Sequence, residues 1–188
     1  REPLAHHTGG GRIVDSLRIV VGRPPALAGL SAMAGAHAAM VAVMVMTPVH
    51  LGHGGASLQI VGLVISLHVA GMYALSPVSG WLTDRWGPQR TIMLGVVLLL
   101  VSLVTTSGAA DIQRTRVAVG LTLLGLGWSA CMVAGSALLS GSVPVENRTR
   151  VQGTGDLGMG LSAALAGALA GPILAATSYG VLSLSAIG

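Results

Sequence analysis

The sequence predicts an all-α membrane protein, a transmembrane helix bundle with five full crossings and the start of a sixth. Of the 188 residues, 52% are hydrophobic and only 9% are charged, whereas a soluble globular domain carries about 25% charged residues. The apolar residues form uncharged runs long enough to cross a bilayer, which takes about 20 residues each. Glycine is frequent, with 28 residues, as is typical of membrane helices that pack through small residues.

The uncharged runs define the crossings in order. No Asp, Glu, Lys or Arg occurs from residue 24 to residue 83. This stretch is long enough for two crossings, and a glycine-rich turn at 50–55 divides it. Polar loops at 84–90, 111–116 and 144–150 separate the later runs. The predicted crossings of the bundle, which occupies 26–188, are 26–49, 58–80, 91–110, 117–141 and 155–176, with an incomplete run at 181–188.

The last run, 181–188, is too short to cross the membrane. Its helix would rise about 12 Å, against a hydrocarbon core of about 30 Å. A chain end at that depth would leave helix carbonyl groups without partners. We therefore expect the sequence to be a fragment of a chain that continues.

Residues 1–25 precede the first crossing and contain four arginines. The stretch 13–21 is short and amphipathic, which leaves two interpretations open. It forms a helix on the membrane surface, or it belongs to a linker with only transient helical structure. We favour the second interpretation, a cytoplasmic linker over 1–25.

The arginines predict the orientation. By alternation, residues 1–25 and the loops after the second and fourth crossings lie on one side, and they hold eight of the ten arginines. Only Arg114 and Arg116 lie on the other side. Because cytoplasmic loops carry the excess of basic residues, the N-terminus of the chain is expected in the cytoplasm. Arg-only basic usage with abundant Ala, Gly and Val favours a bacterial protein of the cytoplasmic (inner) membrane.

Composition and residue pattern argue against several other functions. The net charge of +4 comes from scattered arginines that form no run, so no nucleic-acid partner is indicated. The sequence contains no arrangement of nucleophile, base and acid, and no phosphate loop, that would indicate an enzyme. Several methionines and histidines suggest a soft-metal path, but methionine is more often a gap-filler in apolar packing. We expect no metal and no cofactor.

The most informative motif lies between the second and third crossings. Its residues are Gly80, Leu82, Asp84, Arg85, Gly87 and Arg90. We expect Gly80 to allow close helix approach and Gly87 to adopt a positive φ in a tight turn. Asp84 is expected at a helix N-terminus, where the dipole favours a carboxylate. Arg85 and Arg90 would hold the turn at the cytoplasmic face.

This segment resembles the signature loop of the major facilitator superfamily, G-x-L-x-D-R-x-G-R-[RK], which joins the second and third helices of each six-helix half. Pro88 and Gln89 depart from its two basic positions. A second segment, 144–153, contains Arg148 and Arg150 and resembles the loop between the fourth and fifth helices of a half. Together with residues 44–50, these segments are similar to the C-terminal half of drug-efflux-type bacterial members, with the N-terminal half as the alternative.

The resemblance implies half of a twelve-helix transporter fold, whose partner is the other six-helix half of the same protein. It implies a secondary active transporter that works by alternating access, with the Asp84 loop as a conformational gate. We expect proton-coupled efflux, so an antiporter of small organic molecules. Two alternatives remain: a non-transport membrane protein, such as a sensor or assembly factor, on a degenerate transporter fold, and an inactive truncated fragment.

Ionisable groups inside the membrane are candidates for substrate or proton binding. The candidates are His37, His68, Tyr73 and Asp156. His37 and His68 lie near the middle of neighbouring antiparallel crossings, so we expect them at similar depth. The histidines have a structural alternative, a hydrogen bond between helices. Asp156 has one too, capping the fifth crossing or pairing with Arg148 or Arg150.

Overall fold

A computed structural model describes residues 9–107 and 114–176, and within these ranges the chain is helical with no strand. The helices are α1 (Gly9–Val21), α2 (Pro24–His53), α3 (Leu58–Tyr73), α4 (Ser76–Trp86), α5 (Pro88–Ser107), α6 (Arg114–Gly141) and α7 (Val145–Ala176). The predicted all-α membrane bundle is thereby confirmed. The incomplete run at 181–188 lies outside the described residues.

Four stretches are long and apolar enough to cross a membrane. They are Pro24–Val49, Leu58–Trp86, Pro88–Ser107 and Thr115–Gly141, and they coincide with the first four predicted crossings to within a few residues at their ends. The fifth predicted crossing lies inside α7. At 32 residues, this helix is about 48 Å long, longer than the hydrocarbon core of about 30 Å.

The second crossing is not one continuous helix but two, α3 and α4. Pro77 is the second residue of α4, and its missing N–H cannot bond the carbonyl of Tyr73, one turn earlier. The Ser76 hydroxyl donates to that carbonyl instead, at 2.8 Å. The proline is visible in the sequence, but the apolar run continues across it and hides the break.

Helix α6 lies at the centre of the bundle and packs against α2, α3, α4, α5 and α7. In its apolar window 61% of the residues are buried, compared with 28–33% for the other three spans. Small residues make this possible, because three pairs of glycines lie where α6 meets its neighbours. Gly135, Gly125 and Gly127 of α6 face Gly29 of α2, Gly71 of α3 and Gly95 of α5, respectively.

A second contact region joins the ends of four helices near the α6–α7 turn. Its buried residues come from α1, α2, α6, α7 and the turn between the last two, and they are Val20, Ala26, Met33, Leu139, Val143 and Val151. In addition, the Ser162 hydroxyl of α7 donates to the Ala34 carbonyl of α2 at 3.0 Å. Helix α1 is therefore attached to the bundle at the end that carries most of the arginines.

The α3–α6 contact gives a direct test of glycine packing. A Cβ on Gly71 would stand 2.9 Å from the Thr122 carbonyl oxygen, whereas a Cβ on Gly62, in the same helix, would meet no atom within 4 Å. We expect Gly71→Ala to destabilise the protein by about 1–3 kcal/mol through overpacking. Gly62→Ala should be neutral or stabilise by up to about 1 kcal/mol through helix propensity. Unfolding of the purified full-length protein in SDS measures both changes, and equal effects would contradict the packing assignment.

Candidate functional site

Three rings meet between α2, α3 and α6: those of His37, Tyr73 and Trp128, called here the midplane cluster. The Trp128 indole N–H donates to His37 Nδ1 at 3.0 Å, and the two ring centroids are 6.0 Å apart. The Tyr73 and Trp128 rings form a T-shaped pair, also with centroids 6.0 Å apart, at an interplanar angle of 70°. This T-shaped geometry is favourable for aromatic pairs.

The midplane cluster is named for its position along the helices. Each of its members lies within about one residue of the middle of its candidate span, Pro24–Val49, Leu58–Trp86 or Thr115–Gly141. Trp128 is buried and His37 is half-buried. Tyr73 remains 60% exposed. The cluster therefore presents an aromatic and polar surface near the centre of the membrane.

The hydrogen bond fixes the chemistry of His37. Because Nδ1 accepts a hydrogen bond from the indole N–H, the neutral ring must carry its own proton on Nε2. A doubly protonated His37 would have an N–H on Nδ1 as well, and two donors would then face each other. Protonation of His37 and the bond from Trp128 are thus mutually exclusive.

Sequence reasoning identified His37 and Tyr73 as candidates but missed Trp128. A signal was available. The chain has five Trp and Tyr residues and no Phe, and Trp128 lies in the middle of a predicted crossing. An indole N–H at that depth needs a partner, and the histidines were the obvious acceptors.

His68 lies apart from the midplane cluster. Its side chain is 1% exposed, and Nδ1 is 2.8 Å from the Leu121 carbonyl oxygen, so Nδ1 is the donor. Nε2 is buried without a partner. The partners of His37 and His68 on α6, Trp128 and Leu121, are two helical turns or about 10 Å apart along the helix. The expectation of similar depth was therefore wrong, because the two side chains reach different turns of α6.

The signature turn is tighter than expected. Helix α4 ends at Trp86 and α5 begins at Pro88, so Gly87 alone links them with φ +87°, the positive φ predicted for it. Asp84 lies in the last turn of α4 rather than at a helix N-terminus, because α4 continues to Trp86. Its carboxylate is exposed. Arg85 lies 5.9 Å from the centre of the Trp81 ring, a cation–π distance.

The other residues of the motif, Gly80, Leu82 and Arg90, differ in how closely other residues surround them. Leu82 is half-buried and Arg90 is exposed. A Cβ on Gly80 would meet no atom within 4 Å, so no helix of the described residues approaches it. The close approach expected at Gly80 therefore does not occur within this bundle.

The predicted loop 144–150 is helical from Val145 onward, so Arg148 and Arg150 lie in the first two turns of α7. Pro144 precedes the helix, and Glu146 in its first turn suits the helix dipole. Asp156 is consequently more than two turns inside α7. It cannot cap the helix start, its side chain is exposed, and no ion pair is recorded for it within the described ranges.

Helix α7 carries a further polar contact, besides that of Ser162, which sequence reasoning missed. The Gln152 amide donates from Nε2 to the Ser136 hydroxyl at 2.5 Å, and its Oε1 is buried without a partner. For metals, no group of three or more His, Cys, Asp or Glu side chains comes together among the described residues. The methionines at positions 33, 40 and 72 are buried in apolar packing instead.

A bundle of membrane-spanning helices with a polar and aromatic cluster at mid-depth defines a polytopic membrane protein of the kind to which secondary transporters belong. The chain belongs to the Major Facilitator Superfamily, whose family model matches residues 25–187.

Several curated proteins of this kind are similar to the chain. An uncharacterized MFS-type transporter of Bacillus subtilis, YddS, is 44% identical over 78% of the chain and 34% of its own length. A second one from that organism, YdeG, is 43% identical over 79% of the chain and 34% of its length. The riboflavin transporter RfnT of Brucella anthropi is 28% identical over 95% of the chain and 44% of its length. The chain thus spans less than half the length of these relatives.

The Trp128–His37 bond predicts an energetic coupling. We expect a double-mutant cycle with Trp128→Phe and His37→Leu to give a coupling of about 0.6 kcal/mol, and up to about 1.7 kcal/mol, the range for hydrogen bonds between membrane helices. Unfolding in SDS of the single and double variants measures it. Trp81→Phe, on a tryptophan that is 57% exposed and lies beside Arg85, is the control and should show no coupling. Equal coupling energies with His37 for the two tryptophans would contradict the assigned hydrogen bond.

Proposed function

We propose that the full-length protein is a secondary active transporter of the bacterial cytoplasmic membrane that exports small organic molecules in exchange for protons, by alternating access. It is not an enzyme in this proposal, and its partners are the bilayer and the other six-helix half. Family membership supports transport, as do the names of the relatives. The observation that carries the site assignment is the midplane cluster, because substrate sites of such folds lie near the bilayer midplane.

The chemistry of the midplane cluster suits proton coupling. A proton that arrives on His37 cannot coexist with the hydrogen bond from Trp128, so it releases the indole N–H. The Nδ1 lone pair can accept one donor only, so an N–H or O–H group of a substrate can take it in place of the indole when His37 is neutral. A proton and such a substrate therefore compete for the same atom of His37. Exchange of substrate for protons requires binding that is mutually exclusive in this way.

The exposed ring of Tyr73 favours substrates that themselves contain rings. It forms a T-shaped pair with Trp128 and is 60% exposed, so much of its surface remains available to a ligand. The name of the relative RfnT as a riboflavin transporter supports planar heteroaromatic compounds as the first substrates to try. His68 and Asp156 contribute less in this proposal, since His68 is enclosed and the side chain of Asp156 is exposed.

The signature turn acts as the gate in this proposal. Asp84 and Arg85 are exposed at the end of α4, and the face of Gly80 is open. These features suit a surface on which the other half docks in one of the two states and from which it separates in the other. The eight arginines on this side support a cytoplasmic position for the turn and for the N-terminal segment.

The gating role is tested in the full-length protein. We expect Asp84→Asn to lower pH-gradient-driven flux roughly tenfold. This is the size of effect that loss of a conformational coupling of about 1–3 kcal/mol produces. The matched control is Asp15→Asn, on another exposed carboxylate of the same side, which should keep normal flux. Dye and drug fluxes into proteoliposomes with an acidic lumen measure both. Equal flux in Asp84→Asn and wild type would contradict the gate.

The coupling role of His37 has its own test. With the lumen one pH unit more acidic, exchange of one proton per neutral substrate drives about tenfold accumulation, since one unit is worth about 1.4 kcal/mol. We expect His37→Gln, whose amide oxygen can still accept from Trp128, to lose this accumulation and retain downhill flux. Tyr73→Ala should instead raise KM and keep the pH dependence. Accumulation driven by an alkaline lumen would mean import with protons, and accumulation by His37→Gln would contradict the coupling role.

A further inference from the structure

Helix α1 has three distinct faces along its 13 residues. One face is buried on the bundle, with Ser16 at 3% and Val20 at 0% exposure. A second is charged, with Arg18 and Asp15 3.7 Å apart and both exposed. The third, called here the α1 stripe, is apolar and 41–63% exposed, and it consists of Ile13, Val14, Leu17 and Val21.

The α1 stripe is continuous on the helix surface. With 3.6 residues per turn, positions 13, 17 and 21 follow one another along the axis, and position 14 lies about 100° from position 13. The stripe covers about 100° of the helix, the width of a typical apolar face. It lies directly between the buried face and the charged face.

The attachment of α1 places this stripe at the edge of the membrane. Val20 belongs to the same buried cluster as Val143 and Val151, and the Arg23 guanidinium donates to the Ser142 carbonyl at 3.1 Å. Only Gly22 and Arg23 separate α1 from α2, whose candidate span begins at Pro24. The three Cα–Cα steps from Val21 to Pro24 reach about 11 Å at most, so the end of α1 lies beside the beginning of a membrane crossing.

We propose that α1 is an interfacial helix whose apolar stripe inserts into the cytoplasmic leaflet, with Arg18 directed to anionic phospholipid headgroups. The inference does not depend on the proposed transport function. Three observations favour lipid over another protein surface. The face that packs on protein is already used, the stripe continues from a membrane-spanning helix, and this end of the chain carries most of the arginines. Anionic lipids attract such basic segments.

The ion pair of α1 is compatible with this arrangement. The exposed fractions of Arg18 and Asp15 are 79% and 59%, and exposed pairs of this kind hold their partners only weakly. The Arg18 guanidinium can therefore exchange the Asp15 carboxylate for a lipid phosphate, which offers a geometrically favourable bidentate partner.

The test uses the full-length protein with its own cysteines replaced, in vesicles of phosphatidylcholine and phosphatidylglycerol. Nitroxide labels are attached to Ile13→Cys, Leu17→Cys and Val21→Cys, with Asp15→Cys and Arg18→Cys as matched controls on the same helix. We expect the stripe labels to collide with oxygen and to be shielded from a nickel chelate, at about 5–10 Å depth in the headgroup and acyl boundary. The control labels should show the reverse.

Two results would overturn the proposal. Nickel collisions at all five positions would place the stripe in water, and shielding of the stripe from both oxygen and nickel would mean that protein covers it. The role of Arg18 is separated by Arg18→Gln in the Leu17→Cys background, which should make the label shallower in anionic vesicles and leave it unchanged in phosphatidylcholine alone. An unchanged depth in anionic vesicles after Arg18→Gln would exclude the headgroup contact. None of these readings requires flux, so they stand apart from the transport assays.

Discussion

The close approach of α6 to three other helices is the constraint on which the rest of this bundle depends. Lipid is as apolar as leucine, so helices in a membrane associate by van der Waals packing and hydrogen bonds rather than by the hydrophobic effect. Each of the three glycine pairs brings two backbones to a distance at which a Cβ would meet carbonyl oxygen or backbone nitrogen. Because α6 is held in this way on three sides, the positions of Trp128 and of the Leu121 carbonyl are fixed before any ligand arrives.

This fixed frame also explains how the polar groups are distributed. Most hydroxyls in the described spans bond to nearby carbonyls of their own helix, as Thr47 does to Val43 and Thr83 to Ser79, or across a helix contact, as Ser102 does to Gly120. Within the part of the chain that the structure describes, two buried side-chain atoms lack a partner, His68 Nε2 and Gln152 Oε1. In an apolar medium such atoms are costly, so these two positions stand out from an otherwise satisfied interior.

Most of the fold could be predicted from the sequence, but only part of the candidate site. Uncharged runs of the right length predict crossings because lipid excludes charge, and the glycine needed at position 87 follows from the tight turn that the motif demands. The ends of the helices were harder to predict. Helix α7 begins within the polar stretch predicted as a loop, because those residues are compatible with a helix that starts after Pro144. Trp128 and His37 are 91 residues apart, and the register that joins them is set by helix packing, which neither composition nor spacing encodes. Asp156 attracted interest as the carboxylate of an apolar run, but only the packing could place it on an exposed face.

The three members of the midplane cluster are held to different degrees, and this difference bears on how such a site could respond to a ligand. Trp128 is buried on the central helix, and His37 lies in the middle of α2 and is tied to Trp128 by its hydrogen bond. Tyr73 is the last residue of α3, just before the break that Pro77 imposes, and it is the most exposed of the three. Moving Tyr73 therefore disturbs fewer contacts than moving either of the others. A ligand that enters the cluster would meet a fixed donor–acceptor pair and one ring that can adjust to it, an arrangement that separates proton recognition at His37 from shape recognition at Tyr73.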